Sequence, residues 1–145
     1  RLGIGLHGIS ATNAQLQAVS SFKTYISSIR NVPEGQSIGY GRKSYTTRPS
    51  RIAVIPVGYA DGLNRHLSNR VGNVFVKGKR VPIIGNICMD TCMIDITDTD
   101  ATIGDEVEIF GKHIPVTELA EQLGTIPYEV LTSVSFRVKR VYYKE

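Results

Sequence analysis

Three short stretches put polar or reactive side chains beside small residues inside apolar, strand-like runs. They are Ile38-Gly39-Tyr40-Gly41, Val57-Gly58-Tyr59-Ala60-Asp61-Gly62 and Gly85-Asn86-Ile87-Cys88-Met89-Asp90. Glycine at such places lets a backbone come close to a ligand. Tyr40 carries a phenol whose reference pKa of about 10 makes it a weak base, so acid/base work there needs neighbouring positive charge. A tyrosine between two glycines also suits a turn or a packing contact. Tyr59 sits in a run whose Asp61-Gly62 satisfies a tight turn by itself. Met89 by type alone is a core-filling residue. Cys88 and Cys92 are the only cysteines. On one face of a strand their Cα atoms would stand about 13 Å apart, too far for a disulfide. His7, His66 and His113 are distant in sequence, so a zinc site is not indicated, and two buried free thiols in a reducing cytoplasm is the plain reading.

The 145 residues suit one domain with a real core, and 41% hydrophobic with 21% charged residues describes an ordinary globular chain. No apolar run approaches the roughly 20 residues needed to cross a bilayer, and the amino terminus lacks the form of a signal peptide. The expectation is a cytoplasmic protein without a membrane partner. Net charge is +4 and the basic residues are scattered, apart from Lys77-Gly78-Lys79-Arg80 and Arg137-Val138-Lys139-Arg140. The first reads as a hairpin tip and the second as an alternating strand with its charges toward water, which argues against nucleic acid and for a small anionic substrate.

The elements that must position these residues are mostly short and β-branched. Strands are expected over 22–32, 52–57, 71–76, 81–84, 87–96 and 106–110, separated by turn residues. Arg1 to Gly8 reads as a buried strand whose neighbours lie outside this chain, and Ser135 to Tyr143 as β-like. Val116 to Gly124 predicts a helix with Thr117 as N-cap and Gly124 at its C-terminal end, and a second short helix can follow Pro127. The fold class is therefore mainly β, an antiparallel barrel- or sandwich-like domain with one or two short helices.

Taken together and in this order, the three motifs resemble the carboxy-terminal domain of alanine racemase, a pyridoxal phosphate (PLP) enzyme, and the resemblance extends from Arg1 to about Tyr143. It implies that residues 1–10 are a remnant of the last strand of a PLP-binding barrel and that 11–145 form the C-terminal β-domain. Racemisation removes a proton from one face of the substrate Cα and returns one to the other, so two bases must bracket it. By resemblance Tyr40 is one of them. Tyr59 narrows the substrate entrance, outside which Arg65 belongs to a charged ring, and the Met89 backbone N–H reaches the substrate carboxylate. Arg1 faces the pyridine nitrogen, while Gly3 and Ile4 supply backbone donors to the cofactor phosphate and Tyr128 its hydroxyl. At His7 many relatives have tyrosine, and at Asn86 many carry a positively charged or other polar residue.

The implied partners are L- and D-alanine, the amino-terminal barrel of the same and of the partner subunit, and a second copy in a homodimer. The implied role is D-alanine supply for peptidoglycan. No lysine here matches the family's PLP-binding lysine, so no covalent attachment of PLP is expected and this piece alone should be inactive. The alternative reading is a non-catalytic β-domain used for binding or dimerisation.

Overall fold

The computed structural model describes residues 3–10 and 16–143. Nine strands and two α-helices follow one another as β1 (Phe22–Tyr25), β2 (Ser28–Val32), β3 (Ser37–Ile38), β4 (Ser44–Tyr45), β5 (Ser50–Ile55), β6 (Asn73–Val76), β7 (Lys79–Ile84), β8 (Cys92–Asp95), β9 (Glu106–Phe110), α1 (Val116–Gln122) and α2 (Pro127–Ser133). Seven strands form one antiparallel sheet in the order β1-β9-β6-β7-β8-β5-β2. Its two edge strands are consecutive in the chain. Only Ile26 and Ser27 separate them, so the edges can stand no more than about 11 Å apart where they join. The Ile26 N–H donates to Asp105 O at one edge and the Ser27 N–H to Val54 O at the other. The sheet is thus curled on itself, which accounts for the barrel-like class.

Its interior is filled by side chains such as Ile55, Val74, Ile83, Ile94 and Val107, all 1% exposed or less, with Leu119, Ala120 and Val130 of the two helices packed against them. A second, smaller cluster lies on the other face of the sheet, where Ile52 of β5 and Ile84 of β7 meet Ile38 of β3. Burying each such side chain is worth roughly 1.5–3 kcal/mol before entropy is subtracted. That cluster seats the two-stranded β3–β4 hairpin, which is not hydrogen-bonded into the larger sheet.

Several expectations are corrected. The segment expected as one strand over 22–32 is two, because the chain crosses from one sheet edge to the other at Ile26-Ser27. Gly3–His7 is a 3-10 helix, not a strand. Among the described residues it pairs with no strand, and its backbone groups bond locally, as in Gly8 N–H to Gly5 O at 3.0 Å. Arg1 and 11–15 lie outside the described residues. Of 87–96 only Cys92–Asp95 is strand, so Cys88 and Cys92 do not share a strand face, though both are free thiols. The chain after Val134 forms no strand among the described residues; Arg137 turns to the site loops and Arg140 bonds back to the Val134 and Ser135 carbonyls.

The hairpin tip at Lys77-Gly78 is present, with both residues at positive φ between β6 and β7. Helix α1 begins at Val116 after Pro115, without a side-chain cap, so Thr117 lies inside the first turn rather than at its N-cap. Its C-terminal end is as expected: Gly124 takes φ 65, and the N–H groups of Gly124 and Thr125 donate to Glu121 O and Ala120 O. Pro127 is the first residue of α2. Among the described residues no helix is long and apolar enough to cross a membrane.

Candidate active site

The two motifs 57–62 and 85–90 are clasped backbone to backbone. The Tyr59 and Ala60 N–H groups donate to Cys88 O and Met89 O, both at 3.0 Å. A β-carbon on Gly58 would stand 2.3 Å from each of those carbonyl oxygens, so only glycine permits the contact. Asp61 locks the turn from within, accepting from the Gly58 N–H through Oδ2 at 2.9 Å, and Gly62 closes it at φ 109. On the other side the Cys88 N–H donates to Thr91 O. Met89 is held as a knuckle between these bonds, and its own N–H donates to nothing among the described residues.

Arg137 joins the two motifs again from outside. Its Nε donates to Asp61 Oδ1 and its Nη2 to Asp90 Oδ1, each at 2.7 Å. These two carboxylates, Asp61 first, hold the guanidinium's pKa above its ordinary value. The basic run 137–140 was expected to face water throughout. Arg137 instead crosses back to the site, a link of 76 residues in sequence that no local pattern reveals.

Tyr40 stands on a 3-10 turn, Tyr40–Arg42, at the tip of the β3–β4 hairpin. Gly39 precedes it at φ 73 and packs against Met93 and the Asn86 backbone. Tyr40 is 77% exposed, and its carbonyl accepts from Asn86 Nδ2 at 2.8 Å. Tyr40, Tyr59 and Met89 meet in one open cleft of about 980 Å³, which Arg65 and Asn86 also line. Of the two charged residues that line it, Asp90 is paired with Arg137, and Arg65 supplies a positive end for an anion.

The residues assigned to a cofactor fall elsewhere. Gly3 and Tyr128 lie together: a β-carbon on Gly3 would come within 2.5 Å of the Tyr128 hydroxyl. Tyr128 is in the first turn of α2, whose last residue, Ser133, lines the cleft. Ile4 is half-buried in the 3-10 helix, and Arg1 is outside the described residues. Cys92 is buried, and burial, reinforced by Cys88, pushes its thiol up to about 12, so it is no nucleophile. Among the described residues no group of three or more His, Cys, Asp or Glu could hold a metal ion.

The fold and cleft define a curled antiparallel β-domain that presents two tyrosines and a clasped methionine knuckle on one face. Residues 19–142 match the family described as alanine racemase, C-terminal domain, and the chain belongs to that family. It is 49% identical over 152 residues to alanine racemase 2 of Caldanaerobacter subterraneus subsp. tengcongensis, covering 98% of this chain and 39% of that protein. It is 44% identical to the alanine racemase of Clostridium novyi, over 99% of this chain and 40% of the relative. A crystal structure of alanine racemase from Bartonella henselae with covalently bound pyridoxal phosphate superposes with a TM-score of 0.91 at 39% identity, covering 97% of this chain and 40% of that one. The chain thus spans about two-fifths of the length of the curated relatives it matches.

Proposed function

We propose that this chain is the C-terminal part of a PLP-dependent alanine racemase, and that it supplies Tyr40 as the acid/base on one face of the substrate Cα, to a site completed by the barrel of a partner subunit. The observation that carries the reading is the meeting of Tyr40, Tyr59 and Met89 in one cleft of a chain from this family. Bound PLP would supply the electron sink that makes the Cα proton labile. This chain serves one face of the substrate. Tyr40 moves the proton through its hydroxyl, the free Met89 N–H donates to the substrate carboxylate, and Tyr59 narrows the approach. The interconverted L- and D-alanine feed peptidoglycan in this reading.

The residues present fit the cofactor. The missing β-carbon of Gly3 lets the Tyr128 hydroxyl come up against its backbone, and that hydroxyl makes no hydrogen bond among the described residues, which leaves it able to donate to a phosphate. Gly3, Ile4 and Tyr128 would hold the phosphate, and Arg1 the pyridine nitrogen. Tyr40→Phe in the full-length protein tests the proposal. Cα-proton exchange should fall by roughly 10²- to 10⁴-fold for one enantiomer while the other still exchanges. Wild-type exchange of both would leave the domain as a non-catalytic module.

A further inference from the structure

Tyr40 is presented by an unusually light element. The β3–β4 ladder pairs Ser37 with Tyr45 and Ile38 with Ser44, apart from the main sheet, and continues below through the Gly35 N–H to Thr46 O and the Thr46 N–H to Gln36 O. A two-stranded hairpin of this kind is marginal by itself. Below, it rests on Ile52 and Ile84 through Ile38. Above, a relay of side chains ties it down. Ser44 Oγ donates to Asn69 Oδ1 at 2.7 Å, Asn69 Nδ2 donates to Asn86 Oδ1 at 3.0 Å, and Asn86 Nδ2 donates to the Tyr40 carbonyl at 2.8 Å.

The relay starts on one side of the hairpin loop and ends on the other, passing through two residues of the domain body. Each asparagine uses its carbonyl oxygen on one side and its amide on the other, so both amides have a fixed orientation. Both are also fixed by backbone. Asn69 takes φ 57, a conformation asparagine tolerates better than most residues, and its N–H donates to Gly85 O at 3.0 Å. A β-carbon on Gly39 would lie 3.4 Å from the Asn86 nitrogen, so the hairpin rides directly on the segment that carries Asn86.

We propose that Asn86, supported by Asn69 and Ser44, is the positioning residue that fixes Tyr40 for proton transfer. It touches the Tyr40 backbone and no reacting atom, and the proposal rests on the acid/base role given to Tyr40 above. A misplacement of about 1 Å at such a group can slow a reaction by about 10²-fold, so a tether of the backbone controls the rate without entering the chemistry.

The test uses the full-length protein with Asn86→Asp and Ser44→Ala. Aspartate keeps the size and the acceptor toward Asn69 but turns an acceptor oxygen onto the Tyr40 carbonyl, whereas Ser44→Ala cuts the far end of the relay and stands in should Asn86→Asp not fold. Two readouts are taken: amide hydrogen exchange of residues 37–45, and Cα-proton exchange from each alanine enantiomer. Faster amide exchange confined to 37–45 is expected. It should come with a fall of roughly 2- to 13-fold in Cα exchange for the enantiomer that Tyr40→Phe slows, the size of one lost hydrogen bond. Unchanged exchange in the hairpin, or equal slowing of both enantiomers, would overturn the proposal, since a merely structural role acts on both faces alike. If Tyr40→Phe itself slows neither enantiomer, the acid/base reading fails, and the hairpin exchange separately decides whether the tether exists.

Discussion

Tyr128 stands in the first turn of α2 with its hydroxyl against Gly3, the pair proposed to hold the cofactor phosphate. A phenol hydrogen bond to a charged group is worth about 1.5–3 kcal/mol. In the full-length protein Tyr128→Phe should therefore weaken PLP retention by roughly 10- to 150-fold without abolishing turnover, as read by cofactor dissociation. Unchanged dissociation would remove Tyr128 from the phosphate site. Tyr40 and Tyr59 were legible as places of close approach because glycines adjoin them in sequence, whereas Met89 by type alone read as core-filling and was a candidate only through the family resemblance. Arg137 and the Asn69–Asn86 relay were not legible. Their partners lie 76 and 17 residues away, and only the folded sheet brings them together.

At the scale of elements, the clasp between the two site motifs depends on the missing β-carbon of Gly58. Because the atoms in its way are carbonyl oxygens of the backbone, Gly58→Ala cannot be absorbed by a rotamer change. Overpacking of this kind typically costs about 1–3 kcal/mol, so a lowered Tm should accompany faster amide exchange in 58–62 and 87–91. An unchanged Tm would mean that the loops separate freely.

The turn after β9 is held electrostatically. Burial pushes the Glu108 carboxyl up, but the backbone N–H groups of His113 at 2.7 Å and Ile114 at 3.1 Å, together with the His113 ring, outweigh it and leave its pKa below the ordinary 4.5. A carboxylate whose pKa is lower folded than unfolded contributes stability that is fully present above 4.5 and is lost as pH falls through the folded value. Denaturation midpoints measured between pH 7 and pH 3 should fall at the acid end, and Glu108→Gln should flatten that part of the curve while lowering stability at neutral pH. An identical acid slope in the variant would contradict this.

The same contrast between local and non-local information explains which elements were readable. The Lys77-Gly78 hairpin and the Gly124 end of α1 are set by residues within a turn of one another. The segments 3–8 and 135–143 alternate like strands, but a strand needs a neighbour, and among the described residues neither one has a ladder. Cys88 to Asp90 is apolar enough for a strand, yet its backbone is taken by the Tyr59 turn.

On the scale of the whole molecule, the face that carries Tyr40, Tyr59 and Met89 leaves these large side chains 77%, 45% and 54% exposed. A grouped exposure of this kind marks a surface that works against another one. In the proposed reading that surface is the barrel of a second subunit, so each active site draws Tyr40 from one chain and its PLP lysine from the other. Subunit mixing tests this most directly. A full-length Tyr40→Phe variant and a full-length variant without the PLP lysine would be inactive or nearly so as separate dimers. Co-expressed in equal amounts, half of the dimers are mixed, and each mixed dimer holds one intact site and one doubly defective site. The account predicts recovery of about a quarter of wild-type racemase activity. No recovery in mixed dimers verified by mass would show that Tyr40 does not act across the interface.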